Sequence, residues 1–155
     1  MKLKKGDLAL EFSLPDQDGK THSINDYRGK WVLLYFYPKD FTPGCTKEAC
    51  SIRDSWKNAK KYSLSVLGIS FDTSASHKKF AEKYELPFAL LSDPEKVVLK
   101  KYGVWGKKSF LGKTFMGTLR TSFLINPEGK ISKVYEKVKP DTHIVQVLAD
   151  LKSLK

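Results

Sequence analysis

The strongest constraint in this chain is the run WVLLYFY, Trp31 to Tyr37. A continuous apolar stretch rich in aromatic residues reads as a strand buried on both faces, so it belongs near the middle of a sheet. Pro38 cuts it off, because proline brings no amide hydrogen to a β-ladder. A strand hidden from water on both sides needs layers packed above and below it, and the rest of the sequence supplies them.

After a short loop, Thr42 is placed to act as an N-cap and Pro43 as the first helical residue of a helix carrying Ala49, Ile52 and Trp56 along one side. LSVLGISF, Leu64 to Phe71, is the next strand. Ser76 opens a helix with Phe80, Ala81 and Tyr84 inward, and Asp93-Pro94 opens another that reaches Tyr102 before Gly103 ends it. Downstream, Thr118 to Ile125 and Ile131 to Tyr135 flank NPEGK, the turn of an antiparallel hairpin. A last helix follows Asp141, with Ile144, Val147, Leu148, Leu151 and Leu154 at helical spacing. FSLPDQDGKTHSI forms a small hairpin turning at Asp18-Gly19. The expected class is α/β, a thioredoxin-like fold: a mixed central sheet flanked by helices, with an added N-terminal β-hairpin. The 155 residues carry no internal repeat or linker, so one domain spanning 1–155 is expected.

The only two cysteines, Cys45 and Cys50, lie in PKDFTPGCTKEAC directly after the buried strand. Their spacing is too wide for the C-x-x-C of a disulfide oxidoreductase, and no second pair completes a four-thiolate zinc site. His22, His77 and His143 are scattered without ligand-like spacing. On the helix reading, Cys45 occupies the first turn at the C-terminal edge of a central strand, where open α/β sheets place their sites. Free amide groups and the positive end of the helix dipole favour an anion there, which makes Cys45 a nucleophile. Read alone, it is equally a small buried hydrophobe. Pro43 and Gly44 beside it are turn and cap residues rather than core ones.

Asp7 and Glu11 interrupt any signal-like apolar segment at the N-terminus, and no run could span a bilayer, so a cytoplasmic chain with no membrane partner is expected. Lysine and arginine total 28 against 17 acidic residues, a net charge of +11, which raises the possibility of a polyanion partner. The arginines are only Arg28, Arg53 and Arg120, and the lysines are spread in singles and pairs. A solvated lysine-rich surface fits this pattern better than a nucleic-acid module.

PKDFTPGCTKEACSIRD, with LPDQDGK and YRGKWVLLYFYP before it and YGVWGKK and GTLRTSFLIN after it, closely resembles the peroxiredoxins of the bacterioferritin comigratory protein, or peroxiredoxin Q, group. The match runs from about Gly6 to the last helix, and its core, Pro38-x-x-x-Thr42-x-x-Cys45, is highly specific. The resemblance implies a thiol peroxidase that reduces hydrogen peroxide and organic hydroperoxides with no cofactor and is recycled by thioredoxin or a similar dithiol donor. It implies that Cys45 is the peroxidatic cysteine, Thr42 orients the peroxide, and Arg120 steadies the thiolate and the transferred oxygens. Pro38 would shield the thiolate, Glu48 would position polar groups of the site, and Cys50 would be the resolving cysteine of an internal disulfide. A monomer is expected. Two motifs depart from the family: its Ala-Pro pair reads Ala9-Leu10, and its Arg-Ser-Thr-Phe reads Arg120-Thr121-Ser122-Phe123.

Two other functions compete. A thiol-disulfide oxidoreductase on the same fold would want C-x-x-C and a proline before the third core strand, whereas no proline lies between Pro94 and Pro127. A polyanion-binding or chaperone-like module would rest on the +11 charge alone. If both cysteine roles hold, helical geometry sets the two Cα atoms about 8 to 9 Å apart and facing about 140° apart. A disulfide spans at most about 7 Å, so the helix must open locally.

Overall fold

The computed structural model describes residues 2–155. Its centre is a five-stranded mixed sheet, β5-β4-β3-β8-β9. β3 (Trp31–Phe36) lies in the middle, parallel to β4 (Leu64–Ser70) and antiparallel to β8 (Thr121–Ile125). β5 (Ala89–Ser92) runs parallel beside β4, and β9 (Ile131–Tyr135) pairs antiparallel with β8. Alternation along β3 then sorts the core. Leu33, Tyr35 and the following Tyr37 pack on one face, while Val32, Leu34 and Phe36 pack on the other.

The first face is covered by α1 (Pro43–Asp54), α2 (Trp56–Lys61), α3 (Ser74–Tyr84) and α5 (His143–Leu154), which contribute Cys45, Ala49, Ile52, Ala59, Phe80, Ile144, Val147 and Leu151. The second face takes α4 (Val97–Lys101) through Val98 and Leu99, together with Phe12, Ile24, Tyr102 and Val104. β1 (Ser13–Pro15) and β2 (Thr21–Ser23) form the expected N-terminal hairpin. Gly19 takes φ +80° at its turn, where Asp16 accepts the amide hydrogens of Asp18 and Lys20. This is the thioredoxin-like arrangement with helices on both sides.

Several local expectations need revision. LPFALLS supplies the edge strand β5, a run of three apolar residues and a serine too short to show a period of its own. The helix expected from Asp93 begins at Val97. Before it, the Asp93 carboxylate accepts the amides of Val97 and Leu99, and Lys96 stands at φ 62°. Trp56 does not continue α1: that helix ends at Asp54, Ser55 forms a joint with its amide turned to the carbonyls of Ser51 and Ile52, and Trp56 starts α2. The segment from Gly103 to Gly117 is mostly a hairpin. β6 (Trp105–Phe110) and β7 (Lys113–Thr118) pair through the two-residue turn Leu111-Gly112, both at positive φ. Thr118 therefore belongs to β7, and Leu119 and Arg120 form the junction into β8. No helix among the described residues is long and apolar enough to cross a membrane.

Candidate active site

The site forms where β3 delivers the chain to α1. Pro38 is half-buried at the end of the strand. Thr42 holds the N-cap position with extended backbone, φ −72° and ψ 151°, and Pro43 is the first helical residue. The capping bond expected of Thr42 is missing. Its hydroxyl instead donates to the Lys39 carbonyl at 2.8 Å. The amides of Gly44 and Cys45 sit in the first turn, where an α-helix offers no carbonyl four residues back. Free first-turn amides of this kind favour an anion at the helix start.

Cys45 is buried at 1% exposure, Cys50 is half-buried, and both thiols are free. Five positions apart on one intact helix, they cannot bond without its opening. Arg120 crosses from the β7–β8 junction to meet Cys45, its Nη2 donating to Sγ at 2.9 Å. Its Nη1 donates to Glu48 Oε1 at 3.0 Å. One guanidinium thus spans the thiol and a carboxylate, using the fork of donors that arginine alone provides. Arg120 was expected inside a strand; it stands just ahead of β8, where the backbone is free of the ladder and the side chain can turn to α1.

A glutamate within a helix is ordinarily solvated, and Glu48 departs from that. It is 1% exposed, and burial pushes its carboxyl up to about 7 against the opposing pull of Arg120. Two further residues shape the site and were not read from sequence as doing so. A Cβ on Gly44 would lie 2.8 Å from Arg120 Nη2, so the missing side chain is what lets the guanidinium reach sulfur. Tyr35, fully buried on β3, has a hydroxyl with no hydrogen-bond partner among the described residues. Burial first, then Glu48 and Cys45, push its ionisation well up. Gly44 was visible beside Cys45 but reads equally as a turn residue, and a tyrosine inside an apolar run carries no signal of its neighbours.

A cleft of about 470 Å³ reaches Arg120 and is lined by Tyr102, Val104, Lys108, Leu119, Phe123 and Val138, among others. Lys108 donates to the Thr118 carbonyl at 3.0 Å, and its ammonium is pushed down by burial and secondarily by Arg120. Asp40, Asp72 and His77 each offer one ligand atom within 4.8 Å of the others. Those atoms are already engaged with one another or with Ser70, Ser76 and the Asp40 amide, so the cluster reads as a hydrogen-bonded network rather than an open metal site.

Residues 5–134 match the AhpC/TSA family. The chain is 51% identical over 150 residues to peroxiredoxin Bcp of Escherichia coli strain K12, covering 97% of this chain and 96% of that one. Peroxiredoxin Bcp of Bacillus subtilis is 42% identical over 99% of this chain and 98% of its own. Among solved structures, a mutant PrxQ of Xylella fastidiosa superposes with a TM-score of 0.93 at 30% identity, covering 99% and 98% of the two chains. Peroxidoxin BcpB of Mycobacterium tuberculosis gives 0.87 at 37% identity, with 99% of each chain covered.

Proposed function

The chain belongs to the AhpC/TSA family and is a thiol-dependent peroxidase of the peroxiredoxin Bcp type, and from that premise we propose that Cys45 is its peroxidatic and Cys50 its resolving cysteine. The Cys45 thiolate attacks the nearer oxygen of a hydroperoxide. The S–O bond forms, the O–O bond breaks, and the departing oxygen takes a proton to leave as water or an alcohol. Cys45 remains as sulfenic acid. The sulfur of Cys50 then attacks that sulfur, hydroxide leaves and is protonated to water, and a disulfide joins the two. A dithiol donor such as thioredoxin returns two electrons and two protons. Both electrons come from thiols, so the scheme draws on no cofactor.

The observation that carries this assignment is the guanidinium 2.9 Å from Cys45 Sγ. A permanent cation there stabilises the attacking anion and the charge that grows on the peroxide oxygens. Glu48 holds Arg120 by its second nitrogen. Thr42 has committed its hydroxyl hydrogen to Lys39. Its oxygen can therefore only accept, which suits the protonated end of a hydroperoxide. Pro38 shields the thiolate from water. A solved relative from Xanthomonas campestris, 33% identical, is described for alkyl peroxide reduction. That likeness supports organic hydroperoxides beside hydrogen peroxide as substrates; the apolar cleft that Arg120 helps to line has neither Cys45 nor Thr42 in its wall. The enzyme works as a monomeric domain of residues 1–155 in the cytoplasm.

The test is peroxide consumption with a dithiol reductant. Cys45→Ser abolishes it, and near wild-type turnover in that variant ends the assignment. Cys50→Ser consumes about one equivalent and stalls unless a small thiol is added. Unchanged turnover with thioredoxin in Cys50→Ser would remove Cys50 from the cycle, and a disulfide-linked dimer on oxidation would place resolution between chains.

A further inference from the structure

Beneath the loop that joins β3 to α1 lies a buried polar cluster that the reaction above does not use. Asp40, the middle residue of the Pro38–Thr42 loop, has a side chain 1% exposed, and His77 of α3 is fully buried. Tyr37 Oη donates to Asp40 Oδ1 at 2.7 Å, and Ser76 Oγ donates to Oδ2 at 2.8 Å. His77 Nδ1 meets Oδ2 at 2.7 Å, while its Nε2 faces the Leu91 carbonyl of β5 at 3.0 Å. A carbonyl only accepts, so Nε2 carries a hydrogen, and the short Nδ1 contact holds a second, shared with Asp40. The Asp40 amide donates to Asp72 Oδ2 at 2.9 Å, and Ser70 Oγ binds the same oxygen at 2.6 Å. One aspartate therefore ties its loop, by side chain and by backbone, to the ends of β3 and β4, to α3 and to β5.

The next residue shows what this hold does. Phe41 stands at φ 67°, a left-handed conformation that a bulky residue adopts only under constraint from its surroundings. Thr42 follows directly, with its hydroxyl on Lys39. The direction in which the chain enters α1 is thus set at Asp40 and Phe41, upstream of the reacting atoms.

We propose that Asp40 is a positioning residue for the peroxidase: by binding Tyr37, Ser76 and His77 it fixes the Pro38–Thr42 loop, so that Thr42 meets the peroxide and the opening of α1 stops before β3. This rests on the roles given to Cys45 and Thr42 above. Arg120 reaches Cys45 from the β7–β8 junction and not from this loop, so loosening Asp40 disturbs the peroxide's seat while leaving the cation at sulfur.

The experiment compares two reactions of Cys45 in a Cys50→Ser background: single-turnover oxidation by hydrogen peroxide, and alkylation by iodoacetamide, which needs no oriented peroxide. Asp40→Ala slows the first about 10- to 100-fold, as a misplaced group does, and changes the second by no more than about twofold. Asp40→Asn restores most of the peroxide rate, because its oxygen accepts from Tyr37 and its NH2 donates to a neutral His77. In oxidised full-length protein with both cysteines, Asp40→Ala lets amide exchange spread from α1 back to Tyr37. A folded Asp40→Ala that reacts with peroxide at the wild-type rate overturns the proposal. So does a parallel fall of both reactions, which would mark a purely structural role. Should Asp40→Ala fail to fold, Tyr37→Phe combined with Ser76→Ala removes two donors and keeps the carboxylate. A selective fall in the peroxide rate then supports the proposal, and no fall or a parallel one ends it. The Cys45→Ser control stands apart: turnover there would sink the underlying cysteine assignment, whatever Asp40 does.

Discussion

The two faces of the central sheet are built from the same strands and do different things. On the face of Val32, Leu34 and Phe36 the core is Phe12, Leu67, Ile69, Leu91, Leu99, Phe123 and Ile131 among others, with Asp93 and Thr121 as its buried polar residues, the first capping α4. On the face of Leu33, Tyr35 and Tyr37, the apolar cluster encloses Glu48, Asp40, His77, Ser122 and His143, each at 4% exposure or less. Apolar burial is non-directional and tolerates exchange at constant volume. A buried charge is not exchangeable in this way, because removing its partner leaves an orphan that costs more than the pair contributed. One face therefore supplies stability, and the other fixes directions for the chemistry at Cys45.

Substitutions that separate rate from stability will sharpen that contrast or break it. The largest effect falls on Arg120. Arg120→Ala removes the donor to Cys45 and should slow peroxide reduction about 10²- to 10³-fold, the usual loss when one preorganised donor is deleted. Stopped-flow oxidation measures it, and a wild-type rate would place Arg120 outside the chemistry. Leu34→Ala, on the opposite face, should cost about 2 to 5 kcal/mol of stability in a denaturant titration while the folded fraction keeps its peroxide rate. A rate that falls with stability would show that the two faces are not independent.

The third effect is a pair of opposed pH slopes on the reactive face. Glu48 titrates at about 7 when folded against 4.5 ordinarily. The folded state then binds the extra proton, so its contribution is full below pH 4.5 and is lost as pH rises to about 7. His143, hydrogen-bonded through Nε2 to Ser122 Oγ at 2.8 Å, is pushed by burial from 6.5 to about 4. Its contribution is full above pH 6.5 and is lost as pH falls to about 4. Between these limits the two offset each other in the wild type. Glu48→Gln should therefore make stability rise with pH and His143→Gln make it fall, each by at most about 1.4 kcal/mol per pH unit. Chemical denaturation across that range reads both, and slopes of the same sign would contradict the two burials. The smallest effect belongs to Gly44→Ala. Its new Cβ would lie 2.8 Å from Arg120 Nη2, displacing the guanidinium and slowing peroxide attack about tenfold with little change in melting temperature. An unchanged rate would mean that the arginine has room to spare.

What could be read from sequence divides along the same lines. WVLLYFY announced a strand buried on both faces, and the 3.6-residue rhythm of Ile144, Val147 and Leu151 announced α5, because periodicity reports burial directly. Asp18-Gly19 and NPEGK announced their hairpins through turn chemistry. β5 is harder to read because three apolar residues and a serine, between Pro87 and Asp93-Pro94, fit the run into the next helix as well as a strand. The β6–β7 hairpin escaped because KKSFLGKTF alternates weakly and turns at Leu111, a residue that seldom takes positive φ. At the site, the family resemblance pointed to Cys45, Thr42 and Arg120, but neither it nor any local pattern carried the burial of Glu48 or the closeness of Gly44 to a side chain 76 positions later in the chain. Those are facts about contacts between distant segments, and no local pattern encodes them.

The joint at Ser55 has a consequence for how long the oxidised enzyme is at risk. In the proposed cycle a sulfenic acid on Cys45 has two fates: capture by Cys50, or a second peroxide that carries it to sulfinic acid, from which thiols do not recover it. Capture waits on the opening of α1, and α1 ends at Asp54 because Ser55 turns the chain and α2 starts afresh at Trp56. The turn hands over to a helix anchored by Ala59 in the core, which on the proposed roles confines the opening to the dozen residues of α1. Had α1 and α2 run on as one rod, more hydrogen bonds would have to break before Cys50 could swing, and the second peroxide would win more often. The break in the helix thus acts as a timer, and a short one protects the enzyme from its own substrate.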